Sequence, residues 1–105
     1  MSLVSIAAIL LLVTGGCHLY IPIRYGRNSG TTGIAVFGVI YLVFGILIFA
    51  LSANWIPITA AILATIGAIG AFATRNDMPE ILSWTWFFII IDILIVGFIA
   101  IEFLF

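Results

Sequence analysis

Ile81-Leu-Ser-Trp-Thr-Trp-Phe-Phe-Ile-Ile-Ile-Asp92-Ile-Leu-Ile-Val-Gly-Phe-Ile-Ala-Ile-Glu102-Phe-Leu-Phe105 decides the fold. A helix needs ~20 residues to cross a bilayer, and this run supplies them. One acid, Asp92, sits near its midpoint. A carboxyl group at that depth costs roughly 2.5–3.5 kcal/mol on insertion scales. It needs a proton or a cationic partner, because desolvation disfavours its charged form. Three more apolar runs precede it, at about 2–23, 32–51 and 55–74, and the fourth spans about 81–103. The pattern predicts an all-α, four-transmembrane-helix bundle, one integral membrane domain over 1–105 with no soluble domain.

Composition points the same way. Of 105 residues, 66% are hydrophobic and 7% charged. A water-soluble domain of this length exposes too much of its surface to hide so many apolar side chains. Arg24, Arg27 and Arg75 are the only basic residues apart from His18, so no basic stripe for nucleic acid exists. Cys17 is the sole cysteine, which rules out an intrachain disulfide. No basic residue precedes the first apolar run, which predicts a retained span rather than a cleaved signal. Thr14 stands where lipoprotein cleavage sites usually carry leucine, so Cys17 is read as a small packing residue.

Several local signals punctuate the runs. Pro22 predicts a mild kink or an early end to the first helix. Asn54 is an N-cap candidate, with Pro57 in the first turn of the third helix. Asp77 and Glu80 have capping-box spacing ahead of the fourth. Tyr20, Tyr25, Trp84 and Trp86 suit the headgroup layer. Gly38, Tyr41 and Gly45 share one helix face, and Ala60, Ala64, Gly67 and Ala71 line another. Stripes of small residues let membrane helices approach closely, so both are helix-packing faces. With four spans, Arg24, Arg27 and Arg75 fall on one side. The positive-inside rule places those loops in the cytoplasm of a cell membrane and both termini outside.

Counting to the middle of each run puts Thr14, Tyr41, Thr65 and Asp92 at one depth. Turned inward, they form an intramembrane polar layer in which the three hydroxyls offset part of the cost of Asp92. Interhelical hydrogen bonds average ~0.6 kcal/mol each. Three readings stay open: a structural layer, contact of Asp92 with a partner subunit, and a relay through His18, Asp92 and Glu102. Glu102 lies roughly 80° around the helix from Asp92, so water would have to bridge them. His18 is expected to snorkel, or to pair near Arg24, Asp77 and Glu80. Cys17 and His18 diverge by about 100° on a helix and cannot chelate one ion. No metal or cofactor site, phosphate loop or catalytic triad is expected.

His18 late in the first span, followed by Gly38-Val39-Ile40-Tyr41 and Gly45 in the second, resembles DoxX-like membrane proteins. Richness in isoleucine, absence of lysine and near absence of loops resemble small four-span accessory subunits of archaeal membrane enzymes. Those that accompany ammonia monooxygenase are an example. That resemblance implies that any copper chemistry belongs to other subunits. The expected role is thus a non-catalytic subunit, in contact with lipid and other integral membrane subunits, that stabilises a larger complex such as a membrane oxidoreductase or monooxygenase. Its alternative is a small autonomous transporter or proton-coupled carrier that uses Asp92.

Overall fold

A computed structural model describes residues 3–26, 29–51, 53–77 and 79–104, with only the backbone described at 29 and 30. Ser2, Arg27, Asn28, Ser52, Met78 and Phe105 lie outside the described residues. The chain is an all-α bundle: α1 (Leu3–Tyr25), α2 (Ser29–Ala50), α3 (Trp55–Ala73) and α4 (Leu82–Leu104), the last entered through a 3-10 turn at Pro79–Ile81. Each helix is long and apolar enough to cross a membrane. At about 1.5 Å per residue, α1 and α4 each match a hydrocarbon layer of about 30 Å. The chain is an integral, multi-pass membrane protein.

The helix ends differ from expectation in instructive ways. Pro22 does not end α1, which continues to Tyr25. A proline there removes one backbone donor, the one that would serve the His18 carbonyl, and a membrane helix tolerates a single such loss. The stop comes at Gly26, whose φ of 90° is left-handed and whose N–H donates to the Pro22 carbonyl at 3.1 Å. The Thr31 hydroxyl then donates to the Gly26 carbonyl at 2.8 Å, holding the start of α2 against the end of α1. Asn54 is helical and makes no side-chain cap. Asp77 and Glu80 form no reciprocal capping box among the described residues; the Asp77 N–H donates to the Thr74 carbonyl instead.

Helices run up, down, up and down, and α4 closes the ring against α1. The α1–α2 contact is made by glycine. A Cβ on Gly15 would stand 2.9 Å from the Gly38 carbonyl oxygen, and one on Gly38 would stand 2.9 Å from that of Gly15. Further along, Gly45 takes Leu12 and the Ala8 backbone. On α3, Ala60 and Ala64 are fully buried and join Ala7, Leu11, Tyr41, Ile95 and Ile99 in the main core. This core fills the half of the bundle away from the arginine loops. A smaller cluster of Ile21, Ile81 and Phe88 sits near those loops. The outer faces are aliphatic, with Ile9, Val36, Ile62 and Ile93 exposed. Between the two clusters the packing opens, because α2 and α3 touch least of the adjacent helices.

Candidate functional site

That opening is a cavity of about 630 Å³. α2 contributes Gly33 and Phe37, α3 contributes Gly67, Gly70 and Ala71, α4 contributes Thr85, Phe88 and Asp92, and α1 contributes His18. Its mouth lies at the arginine-loop end, where Thr74, Asp77 and Glu80 line it. Its inner end lies at Asp92. From Glu80 to Asp92 the 3-10 turn and α4 advance about 18 Å, close to half the hydrocarbon layer. Beyond Asp92 the main core seals the bundle. The cavity therefore runs from the arginine-loop end to Asp92, along the gap between α2 and α3.

Helical spacing builds its wall on α4. Thr85, Phe88 and Asp92 recur at three and four residues, and Ile95 and Ile99 continue the same face into the core. On α1 the same spacing runs through Ala7, Leu11, Thr14, His18 and Ile21, all buried. Helical periodicity thus carries His18 into the bundle with the core residues. Its ring stacks on Phe88 with centroids 3.9 Å apart and meets Tyr41 edge-on at 5.2 Å. Its Nδ1 lies 2.6 Å from the Thr14 carbonyl oxygen, so Nδ1–H donates there, and in the neutral ring Nε2 is left as the acceptor.

At the inner end, Asp92 is 1% exposed and Tyr41 likewise. Both crowd the same bare point on α3. A Cβ on Gly67 would stand 2.5 Å from the Tyr41 hydroxyl and 3.3 Å from Asp92 Oδ2. Yet neither the Tyr41 hydroxyl nor Asp92 Oδ1 makes a well-formed hydrogen bond within the bundle, although the hydroxyl and the carboxyl group lie close enough to interact with each other. A buried polar group left in that state costs about 1–3 kcal/mol.

Three of the four residues placed in the polar layer are buried, and one is not. Thr65 faces outward and its hydroxyl donates to the Ala61 carbonyl at 2.9 Å. The Ala60–Ala64 stripe faces the core, and a residue one position on from Ala64 points about 100° away. Thr14 is buried, but its hydroxyl lies 3.3 Å from His18 Nδ1 rather than on Asp92. The layer reduces to Tyr41 and Asp92, with Gly67 where a third side chain was expected. His18 does not snorkel or pair with loop charges. It shares the cavity with Asp92, whereas Glu102 does not. The Glu102 carboxylate sits at the far end and accepts from the Leu3 and Val4 N–H groups at 3.1 and 3.5 Å. That caps the start of α1, at the end of the bundle away from the cavity. Arg75 turns back on its own helix, donating to the Phe72 carbonyl at 2.6 Å with its guanidinium over the Phe72 ring.

The packing stripes are used within the chain. Gly38 and Gly45 meet α1, Ala60 and Ala64 face the core, Gly67 meets Tyr41, and Ala71 lines the cavity. No group of three or more His, Cys, Asp or Glu side chains that could hold a metal lies together among the described residues. Sequence reasoning passed over Phe37, Thr85 and Phe88 as site residues. The face shared by Thr85, Phe88 and Asp92 was the available signal. No protein family, curated protein or solved structure matches this chain.

Proposed function

We propose that the chain is a small autonomous membrane carrier that takes a polar solute into the cavity, with Asp92 as its coupling group. One observation carries this reading: two buried polar atoms, Asp92 Oδ1 and the Tyr41 hydroxyl, make no well-formed hydrogen bond at the inner end of a cavity that runs from the arginine-loop end. A purely structural acid at this depth would be expected to have its hydrogen bonds met by its neighbours. A solute that donates to both atoms would complete the site. Exchange of that solute for a proton on one carboxyl group is the simplest coupling such a site offers. The arginine loops, and with them the mouth, are assigned to the cytoplasm by the positive-inside rule.

The accessory-subunit reading has less to rest on. It relied on small-residue faces free to meet other subunits, and those of α2 and α3 are occupied inside the bundle. Its remaining support is the shortness of the loops and the aromatic runs Phe87-Phe88 and Phe103-Leu104-Phe105, which lipid exposure explains equally well.

The test uses the full chain reconstituted in vesicles adsorbed to a solid-supported membrane. Currents are recorded on addition of small amines, amino acids, carboxylates and sugars under an imposed pH gradient. At least one class should evoke a current that Asp92→Asn abolishes while far-ultraviolet circular dichroism is unchanged. Silence across all classes, or a current indifferent to Asp92→Asn, refutes the carrier. In the latter event, purification from native membranes with larger subunits in fixed ratio would favour the accessory role.

A further inference from the structure

Among the described residues, the charge lining the cavity is one-sided. The chain has four acids, and Asp77, Glu80 and Asp92 line this one space. Neither Arg24 nor Arg75 does. Asp77 and Glu80 are exposed at the mouth, and Asp92 is buried at the inner end. Acids at both ends of a low-dielectric cleft focus a field that concentrates cations and repels anions. The walls between them are apolar and aromatic, with Ile34 and Phe37 facing Ile66 and Phe88. Gly67 lets the Tyr41 hydroxyl and the Asp92 carboxyl group approach the backbone of α3, so that both sit at the inner end of the cavity.

We propose that the cavity binds a small organic cation, its ammonium head at Asp92 and the Tyr41 hydroxyl and its apolar or aromatic body between Phe37 and Phe88. This deepens the carrier reading by naming its substrate class, and it rests on that reading for the use of the cavity. Three features select this class. A divalent metal ion takes six or more oxygen ligands, or keeps its waters, and the inner end offers one carboxyl group and one hydroxyl. The apolar and aromatic walls suit a cation carried on hydrocarbon, which gains from apolar contact as well as from the carboxylate. The volume falls within the roughly 300–1,000 Å³ typical of small-molecule sites.

The experiment is calorimetric titration of the purified full chain in mild detergent with benzylammonium and with its uncharged isostere ethylbenzene. The cation should bind saturably at one site per chain. Affinity should fall about tenfold or more for the isostere, and by a similar factor for the cation on Asp92→Asn. The isostere comparison uses the unaltered chain, so it stands even where the variant misfolds. Equal affinity for both probes overturns the proposal and marks the cavity as an apolar groove for lipid. So does absence of saturable cation binding into the millimolar range, or a folded Asp92→Asn that binds as the parent does. Cation binding without an Asp92-dependent current would sustain this inference and refute the carrier. An Asp92-dependent current evoked by anions or neutral solutes, with no cation binding, would do the reverse.

Discussion

Replacing Gly38 by alanine tests whether the small-residue face of α2 is spent inside the chain. The new Cβ would stand 2.8 Å from His18 Cβ, 2.9 Å from the Gly15 carbonyl oxygen and 3.2 Å from Leu19 Cγ. Carbon contacts settle at about 3.5–4.0 Å. The two nearest atoms are a β-carbon and a backbone oxygen, neither of which can rotate away. The α1–α2 crossing itself must therefore widen by several tenths of an ångström. Overpacking of this kind costs about 1–3 kcal/mol. Alanine also gains about 0.5–1 kcal/mol over glycine inside a helix. Gly16→Ala isolates that gain, because nothing lies within 4 Å of a Cβ at Gly16. The difference between the two variants leaves the steric cost, about 1–3 kcal/mol against Gly38→Ala. Reversible unfolding in mixed micelles, followed by the fluorescence of the three tryptophans, measures it. Equal midpoints for the two variants would mean that Gly38 does not meet Gly15, and would return the α2 face to an external partner.

Other outcomes follow from the same geometry. Tyr41→Phe removes a buried hydroxyl that makes no well-formed hydrogen bond in the bundle, and should leave stability undiminished while weakening binding of benzylammonium. A loss of stability in the same unfolding assay would show that the hydroxyl is bonded. Gly67→Ala puts a methyl group 2.5 Å from the Tyr41 hydroxyl and 3.3 Å from Asp92 Oδ2, and should abolish saturable cation binding with the helix content retained. Undiminished binding would move the head group elsewhere. Glu102→Gln removes the charge at the start of α1 and should cost about 0.3–1 kcal/mol of stability, with Asp92-dependent current unchanged. Loss of that current would restore Glu102 to a relay.

Four spans and their order were legible because hydropathy runs register directly in the sequence. So was Asp92 as the residue needing explanation. Depth could be counted along each run, but azimuth could not be read from depth. Thr65 shows the difference: it shares a depth with Asp92, yet the inward stripe of Ala60 and Ala64 turns it outward. The two expectations for α3 conflicted, and burial of alanine prevailed because it lets helix backbones approach. His18, as a polar residue late in its span, is expected to snorkel or to pair with loop charges, but the spacing Leu11, Thr14, His18, Ile21 carries it into the bundle. The cavity itself was out of reach of sequence reasoning. It arises where α2 and α3 fail to close, and that depends on how Gly15, Gly38 and Gly45 draw α2 towards α1.

The most direct measurement of a cavity reached from the arginine-loop end is thiol labelling of two cysteines on α3, in a Cys17→Ser background that leaves no other thiol. Ile66 and Ile69 are both exposed on the helix surface, at 52% and 65%. Ile66 lines the cavity and Ile69 does not, although Ile66 lies about 4.5 Å deeper from the arginine-loop end. A membrane-impermeant cationic methanethiosulfonate reagent is applied to each face of sealed vesicles in turn. Ile66→Cys should react faster than Ile69→Cys, and only from the face that bears the arginine loops. Faster labelling of Ile69→Cys would follow membrane depth alone. It would contradict a water-filled path to Asp92.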